Sequence, residues 1–290
     1  MITNTAQSSG VPRRVWFITG ASRGFGALIA EQALAAGDAV VATARKPETV
    51  TARLGQHERL LPVALDVNSD AQAHAAVASA LQQFGRIDVL VNNAGYGLLG
   101  AVEEASAEEV RKLFATNVFG LLSVTRAVLP AMREQRSGHI INLSSIGGYS
   151  AAFPGWGVYC ATKFAVEGIS ESLSVELAPL GIRVTVVEPG FFRTDFLDET
   201  SLSKVAQQIG DYHETVGATR DMAADYNHRQ PGDPARLAVA MLALVNAENP
   251  PLRLPLGSDT VARIESKNAQ VVQELAQWRE LALSTDFAAA

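Results

Sequence analysis

Tyr159 and Lys163 stand four residues apart, just downstream of the hydroxyl pair Ser144 and Ser145. On a helix, side chains at i and i+4 share one face about 5 to 6 Å apart, so the ammonium can sit beneath the phenol. A unit charge at that distance, in an effective dielectric of about 20, contributes roughly 3 kcal/mol, or about 2 pKa units. That takes a phenol from about 10 to about 8, close to the working range of a general acid or base. A serine hydroxyl beside it can hydrogen-bond the same reacting oxygen. These residue types together suit carbonyl reduction or alcohol oxidation. Taken alone, a Tyr-x-x-x-Lys pair is also what a packed ring beside a solvated amine looks like, so its company decides.

That company begins at the N-terminus. An apolar run from Val15 to Thr19 leads into Gly20-Ala21-Ser22-Arg23-Gly24-Phe25-Gly26, which opens directly into the helical pattern Ala27 to Ala36. Glycines between a strand and a helix permit a tight turn, close approach of a pyrophosphate and close helix-to-strand packing, while the helix N-terminus offers N–H donors. Gly20, Ser22, Arg23, Gly24, Phe25 and Gly26 are therefore candidate nucleotide contacts. A free ribose calls for an acid roughly 20 residues further on. Here the stretch reads Thr43-Ala44-Arg45-Lys46, with no acid and two cations. A guanidinium suits a phosphate, so NADP(H) is a better fit than NAD(H), with Arg45 and Arg23 as the phosphate partners. Asp66-Val67 and Asn92-Asn93-Ala94-Gly95 each follow a strand-like run and add candidates at the same edge.

The elements that must position these groups alternate along the chain. Strand-like runs occur at 15–19, 39–43, 61–65, 87–91, 139–143, 182–187 and, more weakly, 252–256, with helical patterns between them. Continuous β-branched runs separated by helices predict a parallel seven-stranded sheet covered on both faces, an α/β doubly wound Rossmann fold in a single domain over 14–285. Helix starts are marked by Ser69 before Asp70, by Ser106 with Glu109 as a capping box, and by Asp233 before Pro234; Pro179 and Gly181 end the helix carrying Tyr159. Residues 1–13 read as a loose tail. Over 191–230 the pattern loosens, which predicts a lid over the C-terminal sheet edge, a plain surface excursion being the alternative. Phe153, Trp156, Phe191, Phe192 and Phe196 flank the expected site and would line an apolar pocket or else belong to the core.

Composition narrows the class. The 290 residues carry a net charge of −6 and no Lys/Arg-rich run, which favours neither nucleic acid nor an anionic membrane surface as a partner. The apolar runs are of strand length, short of a membrane span. The single Cys160 cannot form an internal disulfide and reads as a packed thiol, and with a polar N-terminus this predicts a cytoplasmic setting. The five histidines lack metal-ligand spacing, so no metal site is expected.

With these residues in place, the chain resembles the classical short-chain dehydrogenase/reductase family from about Val15 to Val245. The matching positions are Thr19-Gly20-x-x-x-Gly24-x-Gly26, Asn92-Asn93-Ala94-Gly95, Asn117, Ser145, Tyr159-x-x-x-Lys163, and Pro189-Gly190 followed by Thr194. The stretch around Tyr159 looks most like members near the hydroxysteroid and retinol dehydrogenases and bacterial oxidoreductases. The resemblance implies that Tyr159 is the acid/base, that Lys163 lowers its pKa and binds the nicotinamide ribose, that Ser145 bonds the substrate oxygen, and that Asn117 holds a water in a proton relay. It implies nicotinamide contacts from Pro189, Gly190 and Thr194, a small-molecule carbonyl or alcohol substrate, and a homo-oligomer. The interval from Ser145 to Tyr159 is one residue longer than the family usually shows, which leaves Ser144 as a competitor. A non-catalytic NADP(H)-sensing regulator on the same fold is the alternative from another class; an epimerase or dehydratase of the extended type fits the glycine spacing less well.

Overall fold

The structure, a computed structural model, describes residues 14–287; the tail expected at 1–13 lies outside them apart from its boundary. Among the described residues, nine strands and ten α-helices follow in order: β1 Val15–Ile18, α1 Gly24–Ala35, β2 Ala39–Ala44, α2 Glu48–Leu54, β3 Leu60–Ala64, α3 Asp70–Phe84, β4 Val89–Asn92, β5 Gly97–Leu99, α4 Ala107–Phe114 and α5 Leu121–Gln135. Then come β6 Gly138–Leu143, α6 Ile146–Tyr149, α7 Gly157–Leu177, β7 Ile182–Pro189, β8 Leu202–Lys204, α8 Ala218–Tyr226, α9 Pro234–Asn246, β9 Arg253–Leu256 and α10 Ser258–Leu283.

Seven strands form one sheet in the order β3-β2-β1-β4-β6-β7-β9, every neighbour parallel. Parallel strands covered on both faces have no solvent side, which is why β1, β2 and β4 are buried along their whole length. One face packs Ile18, Val40, Val91 and Ile141 against α1 and α9; the other packs Phe17, Val41, Leu90 and Ile140 against α3 and α5. The helix starts read from sequence are those observed: Ser69 caps α3, Ser106 and Glu109 form a capping box on α4, and Asp233 caps α9.

The chain reverses strand order between β1 and β4, and the loops carrying Gly20 and Asn93 both lie at this switch point, where open α/β sheets bind ligands. Below it a chain of buried amides and hydroxyls crosses from helix to sheet to helix. Asn92 Nδ2 donates to Thr125 Oγ1 and to Asn142 Oδ1, both at 2.9 Å, and Asn142 Nδ2 donates to Ser170 Oγ at 2.8 Å. This chain fixes α5, β4, β6 and α7 relative to one another.

Three elements were not expected from sequence. A second, two-stranded parallel sheet joins β5 to β8. A π-helix over Ala115–Gly120 makes α4 and α5 one continuous stretch, 107–135, long and apolar enough by composition to cross a membrane. It instead lies against the body, 56% of its apolar window being buried. The third is α10, which extends past the body.

Asn142→Ala leaves Asn92 and Ser170 each short of a buried partner, so the expected loss is about 1–3 kcal/mol of unfolding free energy, read as a lower urea midpoint with an unchanged m-value.

Candidate active site

A cavity of about 510 Å3 opens along the C-terminal edge of the large sheet. The residues just past five strand ends line it: Gly20 after β1, Arg45 after β2, Asp66 and Val67 after β3, Asn93 to Gly95 after β4, and Ser144 and Ser145 after β6. Pro189, the last residue of β7, and Gly190 complete the rim. Of the residues singled out from sequence, Ser22, Arg23, Gly24, Phe25, Tyr159, Lys163 and Thr194 also face this space. Gly26 and Asn117 do not.

Gly26 works by what it lacks. A Cβ there would meet Gly20 O at 2.5 Å and Asn93 Nδ2 at 2.7 Å, so any side chain would push apart the two loops at the switch point. Gly20 and Gly24 adopt φ of +65° and +54°, the left-handed region that favours glycine. Asn93 locks the turn from the other side, its Nδ2 donating to Thr19 O and Gly20 O at 2.9 and 3.0 Å.

Asn117 lies in the π-helix, and its side chain is fully engaged. Oδ1 accepts from Tyr96 N at 3.1 Å, while Nδ2 donates to Tyr96 O at 2.9 Å and to Thr162 Oγ1 at 3.2 Å. It positions the β4–β5 loop against α7, and Thr162 passes that constraint on by donating to Tyr159 O at 2.7 Å.

At the centre, Tyr159 and Lys163 share the buried face of α7. Lys163 Nζ is 5.8 Å from the phenol ring centre and donates to Leu143 O at 2.7 Å. Trp156 and Phe196 flank the ring, with centroids 5.6 and 5.7 Å away. Burial raises the phenol above its ordinary value, against a lowering hydrogen bond from Ser145. Burial also brings the Lys163 ammonium down to about 8, Glu167 opposing. The phenol's direction is opposite to the one expected from the Lys163 spacing: desolvation of the phenolate outweighs the Ser145 hydrogen bond. Ser145 caps α6, its Oγ accepting from Gly147 N at 3.1 Å, and lies beside Tyr159, while Ser144 Oγ is buried against Gly148 without a hydrogen-bond partner. The short helix α6 and a turn at Gly155, φ +80°, take up the interval from Ser145 to Tyr159. Cys160 lines the cavity, but burial pushes its thiol up to about 11, which makes it a poor nucleophile.

The segment 191–230 folds over this edge. Phe191, Phe192, Phe196, Leu197, Thr200 and Gln230 face the cavity from it, and Phe153 and Trp156 face it from the body. Glu104, buried in the loop after β5, anchors the segment: its carboxylate accepts from Ile209 N and Ala101 N, both at 2.8 Å, and pairs with Arg220. Arg23 ties down the near end, donating to Thr200 Oγ1, Thr200 O and Ser201 Oγ at 2.7, 2.8 and 2.9 Å. Two of its donor groups, expected on a phosphate, are thus directed to the covering segment. His228 Nε2 lies 3.3 Å from Asp198 Oδ1, with Asp195 nearby, an exposed group the sequence spacing does not reveal.

Residues 14–204 match the short chain dehydrogenase family. The chain belongs to that family. This short chain dehydrogenase is 42% identical to "Oxidoreductase BOA17" of Botryotinia fuckeliana over 94% of this chain and 99% of the relative. It is 40% identical to the "3-ketodihydrosphingosine reductase" of Bacteroides thetaiotaomicron, covering 84% of this chain and 88% of that one. A crystal structure of a short-chain dehydrogenase from Streptomyces avermitilis superposes with a TM-score of 0.86 at 43% identity, over 94% of this chain and 99% of that chain.

Behind Tyr159 and Lys163, sequence reading missed a buried acid cluster. Glu188 has no exposed surface, Glu167 is nearly buried, and Arg253 Nε reaches them at 3.7 and 3.2 Å while its other end pairs with Glu171. Burial, and then the charge of Glu167, push Glu188 up to about 7 against the pull of Arg253. The folded state therefore holds this proton more tightly than the unfolded chain, whose value is 4.5, and the associated stability is lost as pH rises from about 4.5 to about 7. Urea midpoints at pH 5 and pH 8 should fall further for the wild type than for Glu188→Gln.

Proposed function

We propose that this protein is an NADP(H)-dependent oxidoreductase that interconverts a ketone or aldehyde and an alcohol. The observation that carries the reading is the convergence of Tyr159, Lys163 and Ser145 in the same cavity as the glycine-rich turn. The cavity fits a dinucleotide: the Gly20–Gly26 approach leaves room for a pyrophosphate at the start of α1, and Arg45 stands exposed at the end of β2, preceded by Ala44 where an acid would serve a free ribose. The 2'-phosphate of NADP(H) suits Arg45; Arg23 reaches it only by exchanging bonds with Thr200 and Ser201.

When bound, the nicotinamide supplies or accepts the hydride. The protein supplies the proton and the field. Tyr159, neutral at pH 7, holds its proton at the phenol oxygen, ready for the alkoxide that develops as a carbonyl is reduced. Ser145 donates a hydrogen bond to the same oxygen, and the charged Lys163 favours negative charge on the phenol as its proton leaves. Trp156 and Phe196 keep water from the ring. The aromatic walls fit a bulky, largely apolar carbonyl compound, in keeping with the ketone reductase named among the relatives. Gln230, 1% exposed at this wall and without a hydrogen-bond partner at either amide atom, is suited to pair a second polar group on such a molecule.

The test is NADPH absorbance with aldehydes, aliphatic and aromatic ketones, quinones and ketosteroids, run beside NADH. Tyr159→Phe should lower kcat about 100- to 10,000-fold. Binding of NADPH with no turnover by the wild type would sink the enzymatic reading in favour of a sensor. Arg45→Ala should raise KM for NADPH about 10- to 100-fold and leave that for NADH unchanged. Reduction should slow as pH rises through about 8, because Lys163 then loses the charge that supports proton release from Tyr159.

A further inference from the structure

The helix α10 begins packed on the body and ends without a neighbour. Thr260 is buried, Arg263 stacks 4.7 Å over the Phe153 ring, and Asn268 accepts from Tyr149, but every residue from Ala269 to Phe287 is exposed. The exposed part is not polar: Val271, Val272, Leu275, Trp278, Leu281 and Leu283 all stand in solvent, Trp278 at 64% and Leu275 at 56%. A helical end of about four turns without packing is marginal in water, and an apolar stripe of this length marks a contact surface.

The spacing defines the contact. Ile264, Asn268, Val271, Leu275, Trp278 and Ala282 follow at alternating steps of four and three residues, the repeat of a helix that meets another helix along a seam. The flanking positions are Glu265, Val272 and Arg279 on one side and Lys267, Glu274 and Leu281 on the other, so the seam is edged by two acids, two bases and two apolar side chains. Such a row is self-complementary: in a parallel pair Glu274 meets the partner's Arg279, and in an antiparallel pair Glu265 does. A membrane surface is the poorer occupant, because α10 carries four acidic against three basic side chains and so lacks the basic face that anionic lipid attracts.

We propose that α10 pairs with α10 of a second copy of this chain through the Val271–Leu275–Trp278 seam, joining two subunits through residues that do not line the cavity.

Molar mass by sedimentation equilibrium tests this on the full chain over a range of concentrations. Leu275→Glu should weaken self-association about 100-fold or more and halve the mass, with turnover retained. An equal mass in variant and wild type overturns the proposal. Acrylamide quenching of the wild type gives a reading that needs no variant. Trp16 and Trp156 are buried, so quenching reports on Trp278. It should rise on dilution, and quenching independent of concentration counts against pairing. Charge exchange separates helix pairing from any other contact: Arg279→Glu should weaken association about tenfold. A second change, Glu274→Arg or Glu265→Arg, should restore it and at the same time give the orientation. Rescue by neither, or binding of the wild type to phosphatidylcholine vesicles with no change in protein mass, overturns the helix pair.

Discussion

The ammonium of Lys163 is held where water scarcely reaches it, with the carbonyl of Leu143 as its hydrogen-bond partner. A buried charge is costly unless its surroundings are fixed, and the local architecture supplies that fixity. Leu143 ends β6, Tyr159 lies one turn before Lys163 on α7, and the amide chain from Thr125 to Ser170 sets the spacing between that strand and that helix. Asn117 ties α7 to the loop after β4 from the other side. The charge stays in place because four elements cannot slide independently.

The same positioning explains why two carboxylates are tolerated nearby. Glu167 lies one turn beyond Lys163 on α7, and Glu188 precedes Pro189 at the end of β7. Arg253, arriving on the edge strand β9, serves both and Glu171 as well. One guanidinium shared among three acids does not offset the burial of Glu188, whose carboxyl is pushed up to about 7. The cluster thus joins β7, β9 and α7 just behind the cavity.

Much of this was legible in the sequence. Seven apolar runs became the seven strands of the large sheet, and the glycine-rich turn, Ser145, Tyr159 and Lys163 fell at one edge because a parallel sheet brings all its strand ends there. What escaped was what depends on three-dimensional company. No local pattern reveals that Asn117 lies in a π-turn, that Arg23 turns to a segment 177 residues away, or that Glu104 awaits Arg220. The phenol's direction of shift was missed for the same reason. A helical spacing gives the distance to the ammonium, whereas the desolvation by Trp156 and Phe196 is a tertiary fact. The strands β5 and β8 were too short to register as apolar runs.

The covering segment is anchored to the body by partners far away in the chain: Glu104 to Ile209 across 105 residues, Glu109 to Ala206 across 97, Arg23 to Thr200 across 177. Closing loops of that length is entropically expensive until other structure has drawn their ends together. The large sheet does this, since β1, β4 and β6 already bring the anchoring loops to one edge. Topology therefore makes docking of the segment cheapest once the sheet has formed, so the outer wall of the cavity depends on the sheet and not the reverse.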